Sequence, residues 1–589
     1  MKSYKLFVFS AIWLAPFSEL RAAPGDLNPF RADASGSSGN SVYVAVQDLN
    51  NLILAGGWFD SLGGATRLSL ARLGWPGATL DNTFTPSTAG SASAVRSMAV
   101  LPDSRILIAG EFSFVSGQPR GRGAILNADG TVYAGFDPGL NENVYCTAVQ
   151  PDGKMLFGGN FTSAFGVNRS RIVRVNANLT LDTGFNPVVN NTVRVMMEQP
   201  EGKLIIGGNF TTISGSLSNR LARLHPNGTV DVTFQPNFDG PVYAAVTLKD
   251  GKLLVGGSFN TVGGTARQNL VRLYPDGSVD TAFSTGADGI VRTMAVQVDG
   301  RIIVGGEFAN IGGVARSRFA RLDASGTVRA DFSLGANGTV FSAALTESGS
   351  VILGGAFSRI GTTSRVNFAS LGGDGGTFQS LTVPSPARVD WLRLGGAAEA
   401  RYVTFDHSVS YNGPWTSLGT GTRTANGWEK TGLALPPEGY IRAQARVYAS
   451  YGGGSSYLSE SNKPYRFTQL QVWRQTYFGT LADEGDAASE ADPDHDGLVN
   501  NIEFAFGLHP FTPDTEQLPQ WQYDTNEWGM QFTAPESADG TAYLAEYNTT
   551  LGTGGWQMSP NLGEGRNLLF IVPQIPGSRM FLRLRVVTH

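Results

Sequence analysis

The 589-residue chain has one cysteine, Cys146, so no intramolecular disulfide framework and no Cys-based zinc site can form. Histidine is nearly as scarce: His225, His407, His495, His509 and His589 leave little for zinc, haem or Ser-His chemistry. Charge is sparse too, at 16% of residues with a net charge of −5. A general polyanion binder needs a basic field, so nucleic acid is not an expected partner and any anion site must be local. Long apolar runs are confined to Leu6 to Phe17, preceded by Lys2 and Lys5 and followed by Ala22 and Ala23. Charged, apolar and small in that order reads as a secretory signal over residues 1–23, and the run is short for the ~20 residues of a spanning helix. The expectation is an exported protein, secreted or at the cell surface, with no transmembrane segment in the mature chain.

Glycine is what the chain has in excess, 75 residues, or about double ordinary usage. It recurs in register. A glycine-rich string ending in Phe returns at Phe59, Phe112, Phe161, Phe210, Phe259, Phe308 and Phe357, spaced by 53 residues once and by 49 thereafter. A second anchor, Asp-x-x-Phe in its fullest form, ends at Phe84, Phe136, Phe185, Phe234, Phe283 and Phe332. The fifth unit shows the content: PVYAAVTL, the turn KDG, KLLVGGSF, the loop NTVGGTARQ, NLVRLY, the turn PDG and SVDTAF. Four short β-rich runs without helical period make one propeller blade, and repetition at this period fits a ring of seven. DLNPF, ending at Phe30, reads as an extra copy of the last strand, while the seventh unit has Leu381 where Phe is expected. The N-terminal strand is thus expected to complete the final blade.

AVQPDGKMLFGGNF and RIVRVNANLTLDTGF resemble the delta-60 repeats of secreted bacterial proteins. The resemblance covers about residues 26 to 381 and implies a β-propeller of unknown biochemical role. Read without it, the unit columns suggest where function could lie. One position on the innermost strand reads Tyr43, Arg96, Tyr145, Arg194, Tyr243, Arg292 and Phe341, a collar at a channel mouth. A loop on the same face carries Arg67, Arg120, Arg169, Arg267, Arg316 and Arg365, with Ser218 in the fourth unit. These groups suit carboxylate, sulfate or sugar-ring contacts, or else each Arg stacks on the next blade's Tyr and holds loop carbonyls. Arg72, Arg174, Arg223 and Arg272 precede Asp81, Asp182, Asp231 and Asp280 at hairpin separation and read as cross-strand ion pairs.

Beyond the propeller, assigned to 24–381, residues 382–466 alternate around Trp391, Trp415 and Trp428 like an immunoglobulin-like β-sandwich. WTSLGTGTR, GWEKTGLALP and IRAQAR resemble the module that often follows delta-60 repeats. Residues 467–515 hold QLQVWRQTYFGT, expected to be helical, and then DPDHDGLVNNIE. In that string Asp492, Asp494, Asp496, the Leu498 carbonyl, Asn500 and Glu503 fall at the ligand positions of a twelve-residue calcium loop, with Gly497 at its turn. The element resembles an EF-hand or dockerin-type half-site, and calcium is the expected cofactor. Residues 516–589 read as a small C-terminal β module. The fold class expected is all-β: a seven-bladed propeller, a β-sandwich, a short helical calcium-loop linker and a terminal β module. The function expected is binding or adhesion toward an extracellular glycan or protein. The alternative is a propeller hydrolase or lyase acting on polysaccharide, with Glu142, Asp239 and Asp288 as candidate acids.

Overall fold

The computed structural model describes residues 23–588 apart from 37–39, 91–92, 374–377, 449–454, 539–540, 551–554 and 576–577. The leader expected over 1–23 lies outside the described residues except for Ala23. Among the described residues no helix is long and apolar enough to cross a membrane.

Seven blades of three antiparallel strands form the ring, and the sheet of blade two continues into four strands of the sandwich. In the fifth, the inner strand Val242–Thr247 pairs with Leu253–Gly257, which pairs with Leu270–Leu273. The fourth strand read from the sequence is shorter than expected: in this blade it is a single bridge, Leu273 to Val279, and the same reduction recurs in the others. After the bridge the Asp of Asp-x-x-Phe turns the chain inward by accepting backbone N–H bonds two residues on, as Asp280 does from Ala282 at 3.1 Å. The Phe that follows, Phe283, is buried between blades. The loop between second and third strands forms a two-residue hairpin, Thr261–Val262 with Thr265–Ala266, around Gly263 and Gly264 in the left-handed region.

An arginine on the third strand ties each such turn down. The Arg272 Nε donates to Asp280 at 2.7 Å, its guanidinium lies 4.8 Å from the Phe283 ring centroid, and its Nη1 donates to the Ala324 carbonyl of the next blade at 2.8 Å. Arg174 and Arg223 repeat all three contacts, reaching the Pro226 and Pro275 carbonyls at 2.7 and 2.6 Å. Lys252 of the Asp-Gly-Lys turn joins the same carboxylate at 3.0 Å, so the two repeat motifs meet in one ion cluster. Arg321 pairs with Asp331, the acid two residues beyond its usual place.

Ring closure uses the N-terminus. Leu27 bridges Leu371 of the seventh blade, with Asn28 N–H donating to the Ser370 carbonyl and Gly372 N–H to that of Asp26, at 2.9 and 2.7 Å. Phe30 is fully buried, 5.6 Å centroid to centroid from Phe368. The sandwich begins at Phe378, so Leu381, read as a relic of the last blade, lies in the first sandwich strand opposite Trp391.

The sandwich packs on one mouth of the ring, leaving a cavity of about 350 Å³ between them that is lined by Lys203, Arg223, Arg401 and Trp428 among others. Its long hairpin, Glu438–Tyr448 with Ser456–Arg466, reaches blades two and seven: Ser456 pairs in parallel with Ala99, Ser455 Oγ lies 3.0 Å from Ser97 Oγ, and the buried Tyr457 hydroxyl donates to the Leu345 carbonyl at 2.8 Å. Tyr402 donates to the Val149 carbonyl at 3.1 Å, and Glu399 N–H to that of Val296 at 2.8 Å. These partners sit at the C-terminal ends of inner strands, and the sandwich shares one apolar cluster with blades one, two and seven. Helix α1 (Gln469–Phe478), with a Thr468 capping box, and helix α2 (Asn500–Phe506) follow, and two three-stranded sheets complete the chain.

Burial opposes ionisation of Asp280, yet the bonds from Lys252 and Arg272 outweigh it and hold the carboxyl at about 2, below its ordinary 3.8. The stability such a pair contributes is therefore full above pH 3.8 and is lost as pH falls toward 2. Arg272→Ala should destabilise the propeller by about 2 kcal/mol, since it removes one of the two cations of a buried carboxylate and leaves Lys252 alone, and should move acid unfolding to higher pH. Thermal melts between pH 2 and 7 check both.

Candidate functional site

Each inner strand carries one β-bulge, and each bulge falls on the collar position: between Val42 and Val44, Val95 and Ser97, Val144 and Cys146, Val193 and Val195, Val242 and Ala244, Val291 and Thr293, and Val340 and Ser342. A bulge re-aims a side chain that regular pleating would place elsewhere. Tyr43, Arg96, Tyr145, Arg194, Tyr243, Arg292 and Phe341 are thereby gathered at the mouth opposite the sandwich. The glycine doublet makes room for this. A Cβ on Gly257 would lie 2.2 Å from the Pro241 carbonyl that precedes the bulge, and one on Gly256 would lie 2.4 Å from Val291 of the next blade.

The collar residues stack on one another around the ring. The Arg96 guanidinium lies 3.6 Å from the Tyr43 ring centroid. Arg194 sits between Tyr145 and Tyr243 at 4.8 and 5.4 Å, and Arg292 between Tyr243 and Phe341 at 4.7 and 6.0 Å. Tyr43 meets Phe341 edge-on at 5.2 Å. Arg96 is paired with Glu111 at 2.7 Å and Arg292 with Glu307 at 2.6 Å. Arg194 differs: its Nε donates to the Asn209 amide oxygen at 3.0 Å, so its charge faces an amide where the other two face carboxylates.

The second arginine column is spent on the loops. Arg67, Arg120, Arg169, Arg267, Arg316 and Arg365 each donate Nη1 to the carbonyl of the preceding residue, at 2.7 to 3.0 Å. Arg316 reaches on to the Arg329 carbonyl at 3.1 Å and Arg365 to that of Asn28 at 3.3 Å, so the column braces the turn after the third strand. Between blades five and six the same face carries a groove of about 740 Å³, lined by Arg267, Gln268, Asp288 and Asn310 among others.

The candidate acids of the enzyme reading are turn residues. Asp288 Oδ1 accepts the Ala309 and Asn310 N–H groups at 2.8 and 2.9 Å, and Asp239 accepts that of Asn260 at 2.9 Å. Asn141, Asn190 and Asn337 do the same at the equivalent positions. Burial pushes both Asp carboxyls up, but these backbone bonds win and hold them below the usual range, which suits a brace and not a general acid. Glu142 is exposed and accepts the N–H of Asn143. Cys146 is wholly buried against Gly158, and burial pushes its thiol far up, as for an inert core residue.

The acidic loop is a second candidate site. Asp492, Asp494 and Asp496 offer oxygens that all lie within 4.8 Å of one another. Gly497, in the left-handed region, donates its N–H to Asp492 at 3.0 Å, and Leu498 donates to Asp496 at 2.8 Å. Glu503, on α2, has no exposed surface, and both of its carboxylate oxygens lack a protein partner, as do Asp492 Oδ1 and Asp494 Oδ2. Burial, then the charges of Asp494, Asp496, Asp514 and Asp492, push the Glu503 carboxyl up to about 7. Orphaned buried carboxylate oxygens without nitrogen or sulfur donors fit a hard cation. Asn500 is oriented by its Nδ2, which donates to the Asp486 and Ala488 carbonyls at 2.7 and 2.8 Å, and its Oδ1 is buried with no protein partner.

A family model described as "Domain of unknown function (DUF5122) beta-propeller" matches residues 101–136, 150–185, 199–234, 248–283 and 297–330, which fall in blades two to six. A search of curated proteins found no match. Among solved structures the chain is similar to one described as "Streptogramin B lyase structure", at 10% identity over 58% of this chain and 96% of that one, with a TM-score of 0.35.

Since asparagine does the same bracing in three blades, Asp239→Asn and Asp288→Asn should leave stability within about 0.5 kcal/mol, while Asp288→Ala should cost about 1 kcal/mol. Thermal denaturation of the three variants checks the assignment.

Proposed function

We propose that the chain is a secreted or cell-surface binding protein that presents the bulged Tyr/Arg mouth of its propeller to an acidic extracellular ligand, a glycan or a protein. The observation that carries this reading is Arg194, a half-buried guanidinium between two tyrosine planes whose side-chain partner is neutral. A carboxylate or sulfate seated there gains a charge-assisted bond, and Tyr145 and Tyr243 offer faces for a sugar ring or an aliphatic stem. The sandwich packs on the opposite mouth, whereas the collar lies at the end away from it. Braced, low-pKa aspartates speak against hydrolysis or elimination at this face. The export-type leader pattern and the acidic loop fit an extracellular setting.

On an array of neutral and acidic glycans, the intact protein should bind acidic members saturably and without turnover. Arg194→Ala should weaken binding by about tenfold or more, the value of one charge-assisted contact, and Arg292→Ala should do less, because Glu307 already neutralises it. Binding indifferent to Arg194, or cleavage of an acidic polysaccharide, would replace this reading.

The same reading takes calcium as the cation of the acidic loop, held by Asp492, Asp494, Asp496 and Glu503 with the Leu498 carbonyl and Asn500 Oδ1 at the remaining loop positions. Calcium at about 100 times its dissociation constant should stabilise the C-terminal region by about 2.7 kcal/mol. Asp492→Ala with Glu503→Ala should abolish the gain, as read by melting with calcium and with chelator.

A further inference from the structure

Resting on the calcium reading, we infer that Asp514, outside the twelve-residue loop, is a further ligand of the cation, and that the ion clips the start of the C-terminal module onto the loop. Asp514 follows α2 by eight residues, and the chain between them folds back over the site. His509 packs on Tyr477 at 4.7 Å and Phe511 on Phe478 at 5.0 Å, both on α1. The return places the Asp514 N–H on Asp496 Oδ2 at 2.9 Å. The Asp514 side chain divides its oxygens: Oδ2 accepts the His509 N–H at 3.3 Å, and Oδ1 is buried with no protein partner. The fully buried Glu503 carboxylate, also unpartnered, lies in the field of Asp514 as well as of the three loop aspartates. Five carboxylates so close repel one another unless a cation stands among them, and calcium takes roughly six to eight hard oxygens, more than the loop carboxylates alone supply. The clip has consequences for the modules on either side. Phe504, next to Glu503, packs on Trp473 of α1, while Phe506 packs on Phe532 and Tyr543 of the terminal sheets. An ion bound by the loop, α2 and Asp514 at once therefore holds together the segments that join sandwich to terminus.

Calorimetric titration of calcium into the stripped full-length chain tests this, with Asp514→Asn beside wild type and Glu490→Gln, an exposed acid near the loop, as control. Asparagine keeps an acceptor for His509 but removes the charge. At least tenfold weaker calcium binding in Asp514→Asn alone, with a calcium-free melting temperature equal to or above that of wild type, supports the assignment. In the terbium complex, excited through Trp473, the decay lifetimes in light and heavy water should show a coordinated water gained by the variant. Equal calcium affinity, or a terbium hydration number unchanged while the calcium-free protein melts lower, would overturn the role of Asp514 and leave the loop site standing. Wild type that binds no calcium would overturn both.

Discussion

The ring of seven blades depends on one steric constraint: the second strand of each blade must pass close to a bulged inner strand. The bulge pushes the preceding carbonyl outward, and only a residue without a side chain fits opposite, as Gly257 does opposite Pro241 and Gly208 opposite Thr192. The neighbouring glycine faces the first valine of the next blade, so blade-to-blade packing and the bulge are settled by the same two residues. Blade two shows the tolerance of the arrangement, with Ala109 at the first position and Gly110 at the second. Because the bulge also selects which side chain turns into the channel mouth, the collar follows from the packing.

A second layer of order lies at the rim. Arg72, Arg174, Arg223 and Arg272 each combine an ion pair, a stacking contact and a bond to the next blade's turn. Blade two lacks this arginine, having Ile125 with Tyr133 at the acid position, and there Arg105 stacks on Tyr133 at 4.6 Å. The paired loss shows the contact to be reciprocal: a carboxylate without its guanidinium would be a desolvated charge, whereas an aromatic ring accepts a cation from another direction.

The sandwich turns a symmetric ring into an object with two unlike ends. At one end, Ser97 bonds both to Thr147 of the neighbouring blade and to Ser455 of the sandwich hairpin. At the other, the collar keeps its planes and charges. Within the collar the symmetry is broken again, because Asn209 stands where the other two arginine-bearing blades have Glu111 and Glu307. Arg194 is thus the collar arginine whose side-chain partner is an amide and not a carboxylate.

Much of this was legible in the sequence. The repeats, the blade count, closure through Leu27 and Phe30, and the Arg–Asp pairs follow from spacing, because turn chemistry and strand alternation act over a few residues and repeat with the chain. The acidic loop was legible for the same reason, since its carboxylates lie within twelve residues. Reading a fourth strand from Asp-x-x-Phe overestimated it, as the aspartate bonds its own turn in place of a ladder. The bulges, the pairing of Ser456 with Ala99, the neutral partner of Arg194 and the approach of Asp514 to Glu503 were decided only by the tertiary structure. Each depends on surfaces that meet once in the molecule, and a contact made once leaves no period in the sequence.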